Sequence, residues 1–155
     1  MNKKLFLSLA LLATFAFAAN AQTRTKKATV KPKPKPAVLA TGAVKTPSGL
    51  IYLITQKGTG RVPKGGETVV VHYTGTLTNG TKFDSSHDAG RPYAFPLGKG
   101  RVIKGWDEGI GKLRVGDQAI LIVPSSLGYG PDGNGPIPPN ATMIFVVELV
   151  EIKEQ

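Results

Sequence analysis

The sequence predicts an α+β domain in which β-strands predominate. Two observations support this fold class: most of the regular segments are typical of strands, among them residues 67–78 with a two-residue alternation of apolar and polar residues, and one short segment has helical spacing instead. From Thr46 to Gln155 the chain has about 110 residues, which is enough for one domain with one hydrophobic core. We therefore expect a single folded α+β domain over residues 46–155.

The strand candidates follow one another through short connections rich in Gly and Pro. In the longest alternating segment Val69, Val71 and Tyr73 share one face, which places Tyr73 on the apolar side. The dipeptide Asn79-Gly80 favours a tight hairpin turn, so a second strand should return directly after it. The predicted strands are 50–56, 67–78, 82–83, 93–97, 119–123 and 143–152.

One segment, residues 102–112, is predicted to form a helix. Its apolar residues Ile103, Trp106 and Ile110 are spaced by three and four, so they lie on one helical face. Gly111 follows the last of them and limits the length of the helix. The sequence therefore predicts one short helix between strands.

Residues 1–21 have the layout of a secretory signal peptide. The pair Lys3-Lys4 precedes an uncharged apolar run over residues 5–19, and small residues lead to a cleavage site between Ala21 and Gln22. The run is shorter than the roughly 20 residues that cross a bilayer, which favours cleavage over a membrane anchor. We expect an exported, periplasmic protein that is soluble and has no transmembrane span after cleavage.

The formal net charge of +10 is concentrated near the amino terminus. Residues 22–45 contain basic residues and no acidic one, whereas all acidic residues lie from Thr46 onward and nearly balance the basic ones there. The alternating Lys and Pro of residues 31–36 predict that residues 22–45 form an extended, disordered linker. A solvated linker is the favoured interpretation, and weak contact of this basic arm with an anionic surface is the alternative. The nearly neutral domain argues against nucleic acid as a partner.

Five motifs of the domain occur in an order that is similar to that of a known family. They are VHYTG at 71–75, KFDSS at 82–86, VIKGWDEG at 102–109, GYG at 128–130 and IPPNAT at 137–142. Over roughly the last two thirds of the chain this series resembles the FKBP-type peptidyl-prolyl isomerases. The resemblance implies a twisted antiparallel sheet wrapped around one short α-helix, with a ligand pocket between helix and sheet.

The residue pattern alone makes Trp106 a core residue and leaves Asp84 open between a turn and a pocket wall. The resemblance implies that Trp106 is the pocket floor and that Asp84 polarises the substrate imide. Ala89 stands where some family members carry an arginine that pairs with the pocket aspartate. The candidate catalytic residues are Tyr73, Phe83, Asp84, Trp106 and Tyr129. The candidate substrate-binding residues are Tyr93, Phe95, Val102, Ile103, Ile137 and Phe145.

The implied activity is cis-trans isomerisation of X–Pro bonds during the folding of exported proteins. Rotation of the amide has a barrier of roughly 18–20 kcal/mol but breaks no covalent bond, so we expect neither a nucleophile nor a metal or cofactor. The expected partners are proline-containing polypeptides and macrolides of the rapamycin type. A proline-binding module or folding chaperone with little turnover would use the same pocket, and the sequence does not separate these two functions.

Overall fold

An antiparallel sheet of eight strands forms the framework of residues 37–38 and 42–153, which are the residues described by the computed structural model. Its strands are β1 Ala37–Val38, β2 Val44–Lys45, β3 Ile51–Gln56, β4 Thr68–Leu77, β5 Lys82–Ser85, β6 Tyr93–Pro96, β7 Gln118–Val123 and β8 Met143–Lys153. The helix α1, Lys104–Ile110, lies between β6 and β7 in the chain. A short 3₁₀ turn, Ser125–Leu127, follows β7.

The long strand β4 organises the part of the sheet that carries most of the candidate residues. In the sheet the strands run in the order β1-β2-β3-β7-β8-β4-β5, and β6 also pairs with β4. One edge of β4 pairs with β8 along its whole length. The other edge is divided, because β6 pairs with residues 68–71 and β5 pairs with residues 74–76. This arrangement brings side chains of β5 and β6 together beside Tyr73.

The predicted α+β class is confirmed, and every helix and strand predicted between residues 50 and 152 is present with ends within two residues of those predicted. The strands β1 and β2 were not predicted. Val44 and Lys45 were assigned to the linker, but they pair with β3, and the neighbouring Ala43 and Thr46 are buried. A two-residue strand is too short to show a hydrophobic period, which explains why the pattern missed it.

The predicted signal peptide, residues 1–21, lies outside the described residues. So does the part of the predicted linker from residue 22 to residue 36, which includes the Lys/Pro repeat. Within residues 37–38 and 42–153, no helix is long and apolar enough to cross a membrane. The domain boundary at Thr46 and the signal peptide therefore remain predictions.

The helix α1 lies close to β7 because two of its glycines face that strand. A Cβ atom at Gly105 would lie 2.5 Å from Val123 Cγ1, and one at Gly109 would lie 2.9 Å from Leu121 Cδ1. The two glycines are four residues apart, so they share one helical face. Trp106 lies directly after Gly105 and is buried in the core. The close approach of helix and strand therefore sets how deeply the indole ring lies.

We expect Gly105→Ala to lower the free energy of unfolding by about 1–3 kcal/mol, because the new methyl group overpacks the helix–strand contact. Val123 is β-branched and stiff at χ1, so it cannot easily rotate away. The matched control is Gly65→Ala, since a Cβ atom there meets nothing within 4 Å. Urea unfolding of both variants makes the comparison. Equal stabilities would mean that the glycine is not needed for the helix–strand contact.

Candidate active site

A cavity of about 270 Å³ opens between the start of α1 and the strands β4, β5 and β6. Nine of the predicted site residues line it: Tyr73, Phe83, Asp84, Tyr93, Val102, Ile103, Trp106, Tyr129 and Phe145. The lining also contains Arg101, which the sequence did not single out. Six of these ten side chains are aromatic, so the cavity can hold an apolar ring, with one carboxylate and one guanidinium at its wall.

The indole of Trp106 forms the base of this cavity and is held by other rings. Its side chain is only 5% exposed. Tyr73 and Phe145 meet it edge to face, with ring centroids 4.7 Å and 5.3 Å away. The indole Nε1 is buried and has no hydrogen-bond partner among the described residues. An unpaired buried donor costs about 1–3 kcal/mol, so the fold keeps this ring despite an energetic penalty.

The aromatic wall opposite the helix depends on a glycine in β4. A Cβ atom at Gly75 would lie 2.7 Å from the ring of Phe83 and 2.9 Å from the ring of Phe145. These two rings pack edge to face, with centroids 5.6 Å apart. The bare backbone at Gly75 therefore leaves room for both phenylalanine rings to pack against the sheet beside the cavity.

The carboxylate of Asp84 is oriented by a tyrosine. The Tyr73 hydroxyl donates a hydrogen bond of 2.6 Å to Asp84 Oδ2. Burial, and then this hydrogen bond, raise the pKa of Tyr73. Because the folded-state pKa lies above the unfolded value of about 10, the stabilising contribution is complete below that pH and is lost as the pH rises through the folded-state pKa. Among the described residues, the Tyr73 hydroxyl is the side-chain group that hydrogen-bonds the carboxylate of Asp84.

Two buried serines hold the backbone of Tyr73. Its N–H donates to Ser86 Oγ at 2.9 Å, and its carbonyl accepts from Ser85 Oγ at 3.1 Å. Both serines are at most 5% exposed. The sequence placed them in the KFDSS motif without assigning them a role. Their position directly after Asp84 could have indicated this role. The segment that supplies the carboxylate runs beside β4, so its next residues can hydrogen-bond the Tyr73 backbone.

Two predicted substrate-binding residues do not line the cavity. Phe95 is 2% exposed and lies 5.8 Å from Trp106 between ring centroids, so it supports the base of the cavity from the core. Ile137 is also buried in the core, and its backbone bonds with Asn134 in the loop that precedes β8. Tyr129 lines the cavity from the loop after the 3₁₀ turn and is partly exposed.

A family model described as FKBP-type peptidyl-prolyl cis-trans isomerase matches residues 59–150, which include the cavity-lining residues. The chain belongs to this family. An FK506-binding protein of Neisseria meningitidis serogroup B is 51% identical over 107 residues, covering 68% of this chain and 98% of that protein. FK506-binding protein 1 of Dictyostelium discoideum is 51% identical over 106 residues, covering 68% and 99% of the two chains.

The FKBP-type isomerase FkpA of Aeromonas hydrophila is 50% identical over 113 residues, which are 73% of this chain and 41% of that protein. The crystal structure of FkpA from Escherichia coli superposes with a TM-score of 0.69 and 42% identity, covering 72% of this chain and 52% of that one. The chain thus spans about half or less of these two FkpA proteins. The predicted FKBP fold and the predicted peptidyl-prolyl isomerase class are confirmed.

Proposed function

We propose that this FKBP-type isomerase accelerates X–Pro rotation in exported polypeptides while they fold. The observation that carries the proposal is the aromatic cavity with Trp106 at its base and one oriented carboxylate, Asp84, at its wall. The signal-like residues 1–21 and the similarity to FkpA proteins support the periplasm as its compartment.

The reaction needs a site that fits the twisted amide better than either planar form. The prolyl ring would lie on Trp106, with Tyr73, Tyr93 and Phe145 around it. These rings replace water next to the amide, and the planar amide is the form that water solvates better. Lowering the barrier by about 4 kcal/mol would give roughly a thousandfold acceleration.

Two polar groups at the cavity would fix the carbonyls that flank the rotating bond. The backbone N–H of Ile103 has no hydrogen-bond acceptor among the described residues, so it can donate to a substrate carbonyl. The carboxylate of Asp84 is held in place by Tyr73 and faces the same cavity. The carboxylate would favour the twisted amide, because the carbonyl carbon becomes more electrophilic once the nitrogen lone pair no longer donates to it.

We also propose that macrolides of the FK506 and rapamycin type bind in this cavity. Two of the similar proteins are named for binding FK506. The cavity offers what such a ligand requires, which is an apolar base with few polar groups at the rim. A macrolide would then compete with proline peptides for Trp106.

The activity is tested by exchange NMR on a short X–Pro peptide with a catalytic amount of the protein. We expect faster exchange between the cis and trans signals, and we expect rapamycin to suppress it. Chemical-shift changes on binding without faster exchange would instead favour the proline-binding module. Neither binding nor exchange would exclude both functions.

We expect Tyr73→Phe to lower kcat/KM for X–Pro isomerisation about three- to tenfold while leaving the fold intact. The variant keeps the ring against Trp106 but removes the hydrogen bond that orients Asp84. One hydrogen bond to a charged group is worth about 1.5–3 kcal/mol at most, and exposure of the carboxylate reduces that value. The matched control is Tyr52→Phe, because Tyr52 is half-buried and lies outside the cavity. Similar rates for both variants would remove Tyr73 from the orientation of Asp84.

A further inference from the structure

A second cavity adjoins the first one. It has a volume of about 390 Å³ and shares the residues Tyr73, Asp84 and Tyr93 with the aromatic cavity. Its far side is formed by the segment between β5 and β6, including Ala89 and Arg91. Because three residues line both cavities, the two cavities lie side by side, and we refer to them together as the cleft. A polypeptide substrate continues on both sides of its proline, so with the prolyl ring on Trp106 it can extend from the first cavity into the second.

Each part of this cleft has an exposed arginine in its wall. Arg101 lines the aromatic cavity, and Arg91 lines the second one. Within residues 37–38 and 42–153, neither guanidinium has a hydrogen bond or an ion pair. The carboxylate of Asp84, which lines both cavities, accepts a hydrogen bond from the Tyr73 hydroxyl instead.

The other charged groups near the cleft do not neutralise these arginines. Lys82 and Asp88 form an ion pair of 2.6 Å with each other. Among the described residues that line the two cavities, Asp84 is the single acidic one, against the two arginines. The cleft therefore carries a net positive charge, with its two cations in different parts. A guanidinium binds a carboxylate in a bidentate manner, so acidic side chains are the matching ligands.

We propose that this cleft selects proline segments that carry acidic side chains. Arg101 would bind an acidic side chain on one side of the X–Pro bond, and Arg91 would bind one on the other side. The inference rests on the proposed isomerase function and assigns its substrate preference. Both arginines are exposed, so each attraction is screened by solvent. We expect each to change kcat/KM about two- to fivefold.

The test measures kcat/KM for two sets of X–Pro peptides with the full chain. One set carries Glu, Gln or Lys before the X–Pro pair, and the other carries the same residues after it. We expect the wild-type protein to prefer Glu over Lys in both sets. Arg101→Gln should bring that ratio toward one in one set, and Arg91→Gln should do so in the other. The control Lys57→Gln should keep both ratios, since Lys57 is exposed and lines neither part of the cleft.

Ionic strength provides a second readout. A preference that arises from charge should shrink as salt is added, because salt screens exposed charges. Equal rates for Glu and Lys peptides in the wild-type protein, or a preference that salt does not change, would overturn the inference and leave the isomerase function standing. If no peptide is isomerised, the proposed function fails. The Glu/Lys ratio is then measured from peptide affinities, and a ratio of one there overturns the inference as well.

Discussion

Trp106→Ala is expected to lower the free energy of unfolding by about 3–5 kcal/mol and to abolish binding of proline peptides and rapamycin. The size follows from removing a large buried aromatic side chain from a packed core. The indole is 5% exposed and contacts the rings of Tyr73, Phe95 and Phe145. One substitution therefore removes both the base of the cavity and a core contact. Urea unfolding and calorimetric titration measure the two effects.

A large loss of stability could by itself prevent binding, so Trp106→Phe is the second variant. It keeps an apolar ring at the base of the cavity and should retain most of the stability while weakening ligand binding. Val146→Ala is the control, because Val146 is 53% exposed and should change stability by less than about 0.5 kcal/mol. Unchanged stability together with unchanged binding in Trp106→Ala would exclude the tryptophan from the site.

Asp84→Asn is expected to lower kcat about 10- to 100-fold while changing the affinity for a proline peptide much less. An interaction made in the transition state alone appears in the rate and not in ground-state binding. A loss of this size corresponds to about 1.4–2.7 kcal/mol of transition-state stabilisation. Phe83→Ala should instead damage both quantities, because it opens the aromatic wall above Gly75. The measurements are a protease-free isomerisation assay and peptide titration on the same two variants.

The control for the charge change is Asp132→Asn, since Asp132 is exposed and does not line the cavity. It should behave like the wild-type protein in both measurements. Equal losses of rate and affinity in Asp84→Asn would identify the carboxylate as a binding or structural group. That result would favour the proline-binding module over the isomerase mechanism.

The central strand β4 could be predicted because its residues alternate over enough positions to define a face, whereas β7 and β8 were predicted from their strongly apolar composition. Tyr73 is the clearest case: Val69 and Val71 fix the apolar side of β4, and the tyrosine follows two residues later. The position of Asp84 followed from the Asn79-Gly80 turn together with the family motif. The positions of Tyr73 and Asp84 could therefore be predicted from residues that lie close to them in the sequence.

The distance of a side chain from the cavity opening could not be predicted from the sequence. Tyr93 and Phe95 are two residues apart on β6 and point to the same side, yet Tyr93 lines the cavity and Phe95 lies beneath it in the core. Alternation gives the side of a strand but not how far each residue lies from the opening. Arg101 was missed for a related reason, because nothing local distinguishes a charged residue on a cavity wall from one in solvent.

The chain contains a single tryptophan, and it lies at the base of the cavity. Selective excitation of the indole therefore reports on one known position in the unlabelled protein. A ligand that covers the ring and a denaturant that exposes it to water should shift its emission differently, because they change the polarity around the indole in opposite directions. Fluorescence of Trp106 can thus follow site occupancy and unfolding in one sample, without any added probe.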